Sequence, residues 1–268
     1  MKVAAIQMVS GASVEANLAG ARDLLSQAAQ AGAELAVLPE YFCLMGHRDS
    51  DKVAARESPG DGTVQRFLAK SARDLGLWIA GGTLPLVAGD AQHVRNTCMV
   101  FSPAGERQAR YDKIHLFKFD NGRERYDESR VIECGAQPVA FALVDASGHS
   151  WRIGMSVCYD LRFPELYRGL NADVLLVPSA FTHTTGQAHW ELLLRARAVE
   201  NLAYVIAPAQ GGVHENGRRT WGHSMVVDPW GEILGHKDEG AGVVIAELDP
   251  ARLAQLRLQL PALEHRVL

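Results

Sequence analysis

Cysteine is scarce in this chain, and the four that occur, Cys43, Cys98, Cys134 and Cys158, are too widely spaced for a CxxC pair. With no histidine cluster at zinc-ligand spacing either, neither a structural zinc site nor a disulfide framework is expected in a chain of 268 residues with ordinary composition. Charge of one sign is also missing: 27 Lys and Arg against 31 Asp and Glu leave a net charge of −4, with no polybasic run. That argues against nucleic acid and anionic membrane as partners. No segment approaches the roughly 18 apolar residues of a membrane span. The opening MKVAAIQMVSG carries an apolar run broken by Gln7, too short and polar to read as a signal peptide. A soluble protein of the reducing cytoplasm is the expectation. Low-complexity tracts and Ser/Pro-rich linkers are absent too, so residues 1–268 read as a single domain.

What is present is an alternation of apolar strands and amphipathic helices. KVAAIQM reads as a buried strand closed by the turn signal Ser10-Gly11. Ser13 is positioned to cap a helix whose Val14, Leu18, Ala21, Leu25 and Ala28 recur at helical spacing, with Gly32 ending it. ELAVLPE gives a second buried strand. A helix from about Thr63 follows, carrying Val64, Phe67, Leu68, Ala72 and Leu75 on one side and ending at Gly76. Further strands are predicted at LWIAGGTL, TCMVFS, VAFALV, RIGMSVC, DVLLVPS, AYVIAPA, SMVVD and VVIAEL, with a turn at Asp228-Pro229-Trp230-Gly231. Asp249 and Pro250 have the residue types of an N-cap and first turn for a last helix. Strands apolar on both faces imply sheets covered by helices. KVAAIQM–helix–AELAVLPE also parallels RIGMSVC–helix–ADVLLVPS. That echo puts Glu40 and Cys158 just past strand C-terminal ends, where open α/β sheets bind ligands.

A cysteine ending a strand is more often a small buried hydrophobe than a nucleophile. A catalytic one needs a base or a cation nearby. Glu40 follows Pro39 at a buried strand's end, where an unpaired charge is costly. Lys113, in RYDKIHLF, is a cation followed by apolar residues just after the turn Pro103-Ala104-Gly105. Taken singly, each of these charges also reads as ordinary surface.

Together the segments VLPEYF, RYDKIHLF and SVCYDLRFPE resemble, in order and spacing, the three signature blocks of the nitrilase, or carbon–nitrogen hydrolase, superfamily. The resemblance runs from AAIQM to the last helix. GQAHWELLLRARAVENLAYVIAPAQ and WGHSMVVDPWGEI resemble the branch of deaminated glutathione amidase and ω-amidase. The resemblance implies an α+β fold of alternating strands and helices, arranged as a four-layer α-β-β-α sandwich that pairs into a homodimer. It implies Glu40 as general base, Lys113 as electrostatic stabiliser, Cys158 as nucleophile and Glu128, in RYDESR, as a second glutamate that positions substrate and supports the lysine. The backbone N–H of Tyr159 would join Lys113 at the oxyanion. No metal or organic cofactor is implied. Two acids beside a thiol predict a resting neutral thiol, with proton transfer coupled to attack.

Around this core, Arg162 has two readings: an ion pair with Asp160 or Glu165 that locks the turn, or a bidentate clasp on a substrate carboxylate. Phe181 is placed near substrate by the parallel strand that ends there, or in the core. Thr184, Thr185 and Gly186 form a loop that lines the pocket or leads into the next helix, which His189 and Trp190 open. Tyr41 is a candidate pocket wall. Arg123 and Arg125, in KFDNGRERYDES, are in reach of an anionic tail or simply solvated. Cys43 and Cys98 read as packed side chains. The implied activity is hydrolysis of a small carboxylate-bearing carboxamide to acid and ammonia through a thioester, with deaminated glutathione preferred. 2-Oxoglutaramate-like substrates are the alternative, ahead of nitriles, N-carbamoyl amino acids and a non-catalytic metabolite-binding role. A papain-like protease is excluded, because it would need a histidine partner and leave Glu40 and Lys113 idle.

Overall fold

Ser13 does cap the first helix, its side chain accepting from the Ala16 N–H, and Gly76 ends a later helix in the left-handed conformation at φ 64°. These local signals set a chain that a computed structural model describes for residues 1–267. Its first half runs β1 (Lys2–Gln7), α1 (Val14–Gln30), β2 (Leu35–Val37), a short α2 (Ser50–Ala54), α3 (Thr63–Leu75), β3 (Trp78–Ala80), β4 (Leu84–Val87), β5 (Val94–Phe101) and β6 (Arg107–Asp112). A small hairpin of β7 (Lys118–Asp120) and β8 (Arg125–Asp127) follows, then a 3₁₀ turn at Glu128–Arg130. Next come β9 (Val139–Val144), β10 (Ser150–Met155), a 3₁₀ turn at Cys158–Arg162, α4 (Pro164–Leu170), β11 (Val174–Leu176) and α5 (His183–Asn201). The chain closes with β12 (Tyr204–Ala207), β13 (Gly211–Val213), β14 (Arg219–Trp221), β15 (Ser224–Val227), β16 (Ile233–Lys237), β17 (Gly242–Glu247) and α6 (Pro250–Gln259).

Two large sheets result. One has the order β17-β1-β2-β3-β5-β4 with β6 added on β5; the other has the order β16-β15-β12-β11-β10-β9. Each holds a parallel trio, β1-β2-β3 and β10-β11-β12, so the internal echo in the sequence is a repeat in the fold. Alternation of side chains explains why the strands are apolar on both faces. In β1, Val3 and Ala5 pack in the core shared with the second sheet, whereas Ala4 and Ile6 pack against α1 and α3. In β5, Cys98 and Val100 face one way, Met99 and Phe101 the other. On the far side, Trp190, Leu194 and Ala198 of α5 and Leu166, Tyr167 and Leu170 of α4 cover the second sheet. The layers are helix, sheet, sheet, helix.

Several strands were not legible in the sequence. LWIAGGTL is two strands, because Gly81-Gly82 breaks it. A Cβ on Gly82 would lie 2.0 Å from the Pro39 carbonyl oxygen, so only glycine lets the backbone pass this close to the segment carrying Glu40. β6 separates Lys113 from the turn at 103–105; its sequence RQARYD is polar, half-exposed and without a clean period. The β7–β8 and β13–β14 hairpins and β16 are short or half-exposed in the same way.

Candidate active site

Cys158 and Tyr41 share a backbone oddity that the sequence could not display. Both are non-glycine residues in the left-handed region, at φ 51° and φ 58°. Each lies on the turn after a strand of a parallel trio, Tyr41 after β2 and Cys158 after β10. Strain of this kind persists only where surrounding contacts enforce it, and it collects at functional sites. Around Cys158 the enforcing group is Asp160, fully buried. Its Oδ2 accepts from the Val157 N–H at 2.8 Å and the Tyr111 hydroxyl at 2.7 Å; its Oδ1 accepts from the His115 N–H at 3.0 Å and lies 2.7 Å from His115 Nδ1. The Cys158 N–H itself donates to Pro178 O at 3.0 Å.

A buried charge cluster stands beside that turn. Lys113, only 1% exposed, donates to Glu40 Oε1 at 2.9 Å and to Glu128 Oε1 and Oε2 at 2.9 and 2.8 Å. Glu40, also 1% exposed, accepts further from Asn96 Nδ2 at 2.9 Å and from the Ala180 N–H at 3.0 Å. Glu128 accepts from the Tyr41 hydroxyl and the Phe117 N–H, each at 2.7 Å. Burial pulls the Lys113 ammonium down, but Glu128 and then Glu40 hold its pKa above the usual lysine range. Glu128 is raised by burial and lowered more by the Lys113 charge, its hydrogen bond and the Phe117 N–H, so it stays an anion. The Cys158 thiol is pushed well above its ordinary value, first by burial and then by Glu40. Lys113 offsets part of this, Glu128 adds to it, and a hydrogen bond from the Ala180 backbone lowers it. The resting group is a neutral thiol, as two nearby carboxylates require.

Cys158, Glu40 and Glu128 open onto one narrow pocket of about 280 Å³, whose other walls include Phe117, Tyr159, Phe181 and the first turn of α5. A buried thiol, a carboxylate that can hold a proton and a fixed ammonium around one cavity are the components of nucleophilic acyl transfer.

Comparison with known proteins fits this geometry. Residues 2–258 match the family model described as carbon-nitrogen hydrolase. The chain belongs to the carbon–nitrogen hydrolase family. It is 44% identical over 269 residues to a deaminated glutathione amidase of Synechocystis sp. (strain PCC 6803 / GT-S), covering 98% of this chain and 97% of that protein. It is 35% identical over 269 residues to an omega-amidase of Xenopus laevis, covering 99% and 94%. Saccharomyces cerevisiae Nit3, a member of branch 10 of the nitrilase superfamily, superposes with a TM-score of 0.88 at 29% identity, over 100% of this chain and 97% of that one. This hydrolase is an amidase.

Within the amidase, the residues singled out in the sequence fall into three groups. Glu40, Glu128, Cys158, Tyr159, Arg162, Phe181 and Thr185 line the pocket, and Lys113 bonds the two glutamates from behind. Tyr41 is not on the pocket wall; it is buried behind Glu128 and holds it by its hydroxyl. Arg123 and Arg125 sit on the β7–β8 hairpin and do not line the pocket; Arg125 faces Asp120 at 3.8 Å, while Glu124 between them accepts from the Thr184 hydroxyl at 2.9 Å.

Arg162 corrects an expectation. Asp160 is fully occupied by Tyr111, His115 and Val157, and Arg162 pairs with neither it nor Glu165. Its guanidinium lies 5.7 and 5.6 Å from the ring centres of Tyr159 and Phe181 and 3.3 Å from His189 Nδ1. Thr184, Thr185 and Gly186 are not a loop but the first turn of α5, capped by Thr182, whose hydroxyl accepts from the Thr185 N–H. His189 and Trp190 therefore lie inside that helix.

Asn96, Ala180, Thr182 and Arg218 are site residues the sequence reading missed. Asn96 left a trace, a buried polar residue inside the apolar strand β5; the others carry no local signal. His223, His236 and Asp238 form the one grouping among the described residues able to hold a metal ion, with ligand atoms within 4.8 Å of one another. It does not line the pocket.

Proposed function

We propose that Cys158 is the nucleophile, Glu40 the general base and acid, and Lys113 the stabiliser of the oxyanion, acting on an amide that carries a carboxylate. The observation that carries this reading is Lys113 bridging Glu40 and Glu128 beside a strained, buried Cys158 at a pocket too narrow for a folded polypeptide. Glu40 takes the thiol proton as sulfur attacks the amide carbon, so the thiolate never has to exist alone beside two carboxylates. Negative charge then grows on the amide oxygen, toward Lys113 and the Tyr159 N–H. The latter lies in the first turn of a helical segment, where backbone donors lack intrahelical acceptors. Collapse expels the nitrogen, which leaves with the proton from Glu40. Water gives a proton to Glu40 and attacks the thioester; sulfur departs and recovers its proton, leaving the acid and a neutral Cys158.

Arg162 supports an anionic acyl portion, and deaminated glutathione is our preferred substrate. A primary carboxamide releases ammonia; deaminated glutathione, whose amides are secondary, releases an amine. The small pocket also favours a second reading, an ω-amidase taking 2-oxoglutaramate, ahead of nitriles and N-carbamoyl amino acids. A core continuous from β1 and β5 through β10 to α5 supports one catalytic domain over residues 1–268. Four free cysteines support a cytoplasmic setting. Exposed Leu192 and Val199 on α5, with Trp230 at the turn packed beside it, support a homodimer.

The test is initial rates of acid formation from deaminated glutathione, 2-oxoglutaramate, a simple nitrile and an N-carbamoyl amino acid, with wild type and Cys158→Ala. Amides are expected to turn over fastest, and Cys158→Ala to be inactive. Residual turnover in that variant overturns the mechanism; preference for the nitrile overturns the substrate class alone.

A further inference from the structure

Arg218 belongs to neither the charge cluster nor any motif, yet it forms part of the pocket wall. It immediately precedes β14. Its Nη2 donates to Ala180 O at 3.0 Å, its Nη1 lies 3.9 Å from Met45 Sδ, and its guanidinium sits 5.2 Å from the centre of the Tyr126 ring. Its Nε is buried with no hydrogen-bond partner. Among the described residues Arg218 makes no ion pair, and neither does Arg162, whose contacts are His189 and two aromatic rings. The buried acids of the site, Glu40 and Glu128, are already shared by Lys113. Two guanidinium groups thus face one narrow cavity without ion-pair partners of their own, and the Glu40–Lys113–Glu128 cluster beside them supplies only one net negative charge between the two. A partly buried cation with open donors is unfavourable unless an anion completes it.

The two cations are tied to different groups of the chemistry. Arg162 follows Cys158 within the same 3₁₀ turn. Arg218 is bonded to Ala180, whose N–H holds Glu40 Oε2 at 3.0 Å. Glu40 is the group that hands a proton to the departing nitrogen in the mechanism above, so whatever that nitrogen carries extends along Ala180. We propose that Arg218 is a subsite for a carboxylate on the leaving amine, and that the enzyme favours secondary amides with a peptide-like acidic tail over primary amides with the same acyl group. This rests on the amidase reading of the site.

A merely structural role makes a different prediction. Arg218 also caps a small apolar cluster of Tyr41, Met45 and Ala180, and a staple lost there would slow every substrate alike. The experiment uses three substrates sharing one acyl part: 2-oxoglutaramate, deaminated glutathione, and deaminated glutathione with its terminal carboxylate converted to carboxamide. Wild type should prefer the free acid tail over the amidated tail by about 10- to 100-fold in kcat/KM, mainly through KM, the range of a charge-assisted hydrogen bond. Arg218→Gln should collapse that ratio to about 1, and Arg218→Lys should keep part of it, as a single charge without the fork would. Equal losses on all three substrates, or a wild type indifferent to the tail charge, overturn the subsite. A wild type that hydrolyses only the primary amide overturns it while leaving the amidase mechanism intact. No turnover of any of the three, alongside turnover of a nitrile or carbamoyl compound, overturns the substrate reading itself and the subsite with it. Thermal melts of both variants check folding, and the wild-type tail ratio decides even where a variant does not fold.

Discussion

Glu40 and Asp160 are both buried carboxylates close to Cys158, at 1% and 0% exposure, and both accept from at least three donors. They differ in company. Asp160 sits among a tyrosine hydroxyl, a histidine and backbone N–H groups, and does not line the pocket. Glu40 shares Lys113 with a second carboxylate, so that cluster carries one negative charge more than positive, and it opens on the cavity beside the thiol. An acid enclosed by its donors fixes a backbone; one that also faces the thiol across the cavity is placed to meet it. The same residue chemistry therefore yields a strut in one place and, on the mechanism proposed above, a base in the other, and neighbours decide which.

Substitution tests that division most sharply. Glu40→Gln should lower kcat/KM by about 10³-fold or more, the upper range for a general base. Its melting temperature should change little, because the lost bonds are offset by relief of repulsion with Glu128. Asp160→Asn places an amide N–H against donors already aimed at that site. It should cost about 3 kcal/mol, or roughly 6–10 °C in Tm, with a smaller loss of turnover. Steady-state kinetics and thermal melts on the pair measure both quantities. If Asp160→Asn silences turnover at an unchanged Tm, Asp160 takes part in the chemistry and the contrast fails.

Lys113→Met probes the cluster from the cation's side. It leaves two buried carboxylates facing each other and removes the charge aimed at the oxyanion. The loss in kcat should be about 10²- to 10³-fold, as for other removed oxyanion donors. KM should move less, since a group that acts on developing charge contributes little to ground-state binding. A variant that loses KM alone would make Lys113 a substrate anchor instead.

How much of this was readable beforehand differs between framework and lining. The strands of the two parallel trios are near-continuous apolar runs, so β1, β2, β10, β11 and β12 and the caps at Ser13 and Asp249 were visible in their residues. Glu40, Lys113 and Cys158 were singled out because VLPEYF, RYDKIHLF and SVCYDLRFPE resemble family blocks in order, and Glu128 because RYDESR does; Glu40 and Cys158 also follow recognisable strands, whereas Lys113 and Glu128 follow β6 and β8, which the sequence did not show. β6, the two hairpins and β16 escaped, since edge and surface strands carry mixed side chains that no period distinguishes from loop. Arg218 escaped for the same reason. It lies in ENGRRTWG, where two adjacent arginines look alike, and only the hairpin's fold turns Arg218 toward Ala180 while Arg219 pairs outward with Glu239. Asp160 was seen but given the wrong partner: Arg162 is near in sequence, whereas Tyr111 and His115 come from a distant segment.

The smallest effect expected is on Cys158 itself, and it separates the strut from the base by charge alone. Burial, Glu40 and Glu128 all raise this thiol, with Lys113 offsetting only part. A group whose folded pKa lies above its unfolded one binds more protons in the native state at alkaline pH. The stability it contributes is therefore complete below the unfolded thiol pKa and is lost as pH rises toward the folded one. The direct readout is thiolate absorbance of wild type minus Cys158→Ala between about pH 6 and 9, a window that contains the ordinary thiol pKa of roughly 8.5. Exposed Cys134 is common to both samples and cancels. The difference should stay flat across the window. In Lys113→Met it should stay flat too, since losing the cation raises the thiol further. In Glu40→Gln, with the largest opposing charge gone, any ionisation should move toward the window. A step in the wild-type difference near the ordinary pKa or below would mean a thiolate held by Lys113. Glu40 would then have no proton to take from sulfur, and it would become a strut like Asp160.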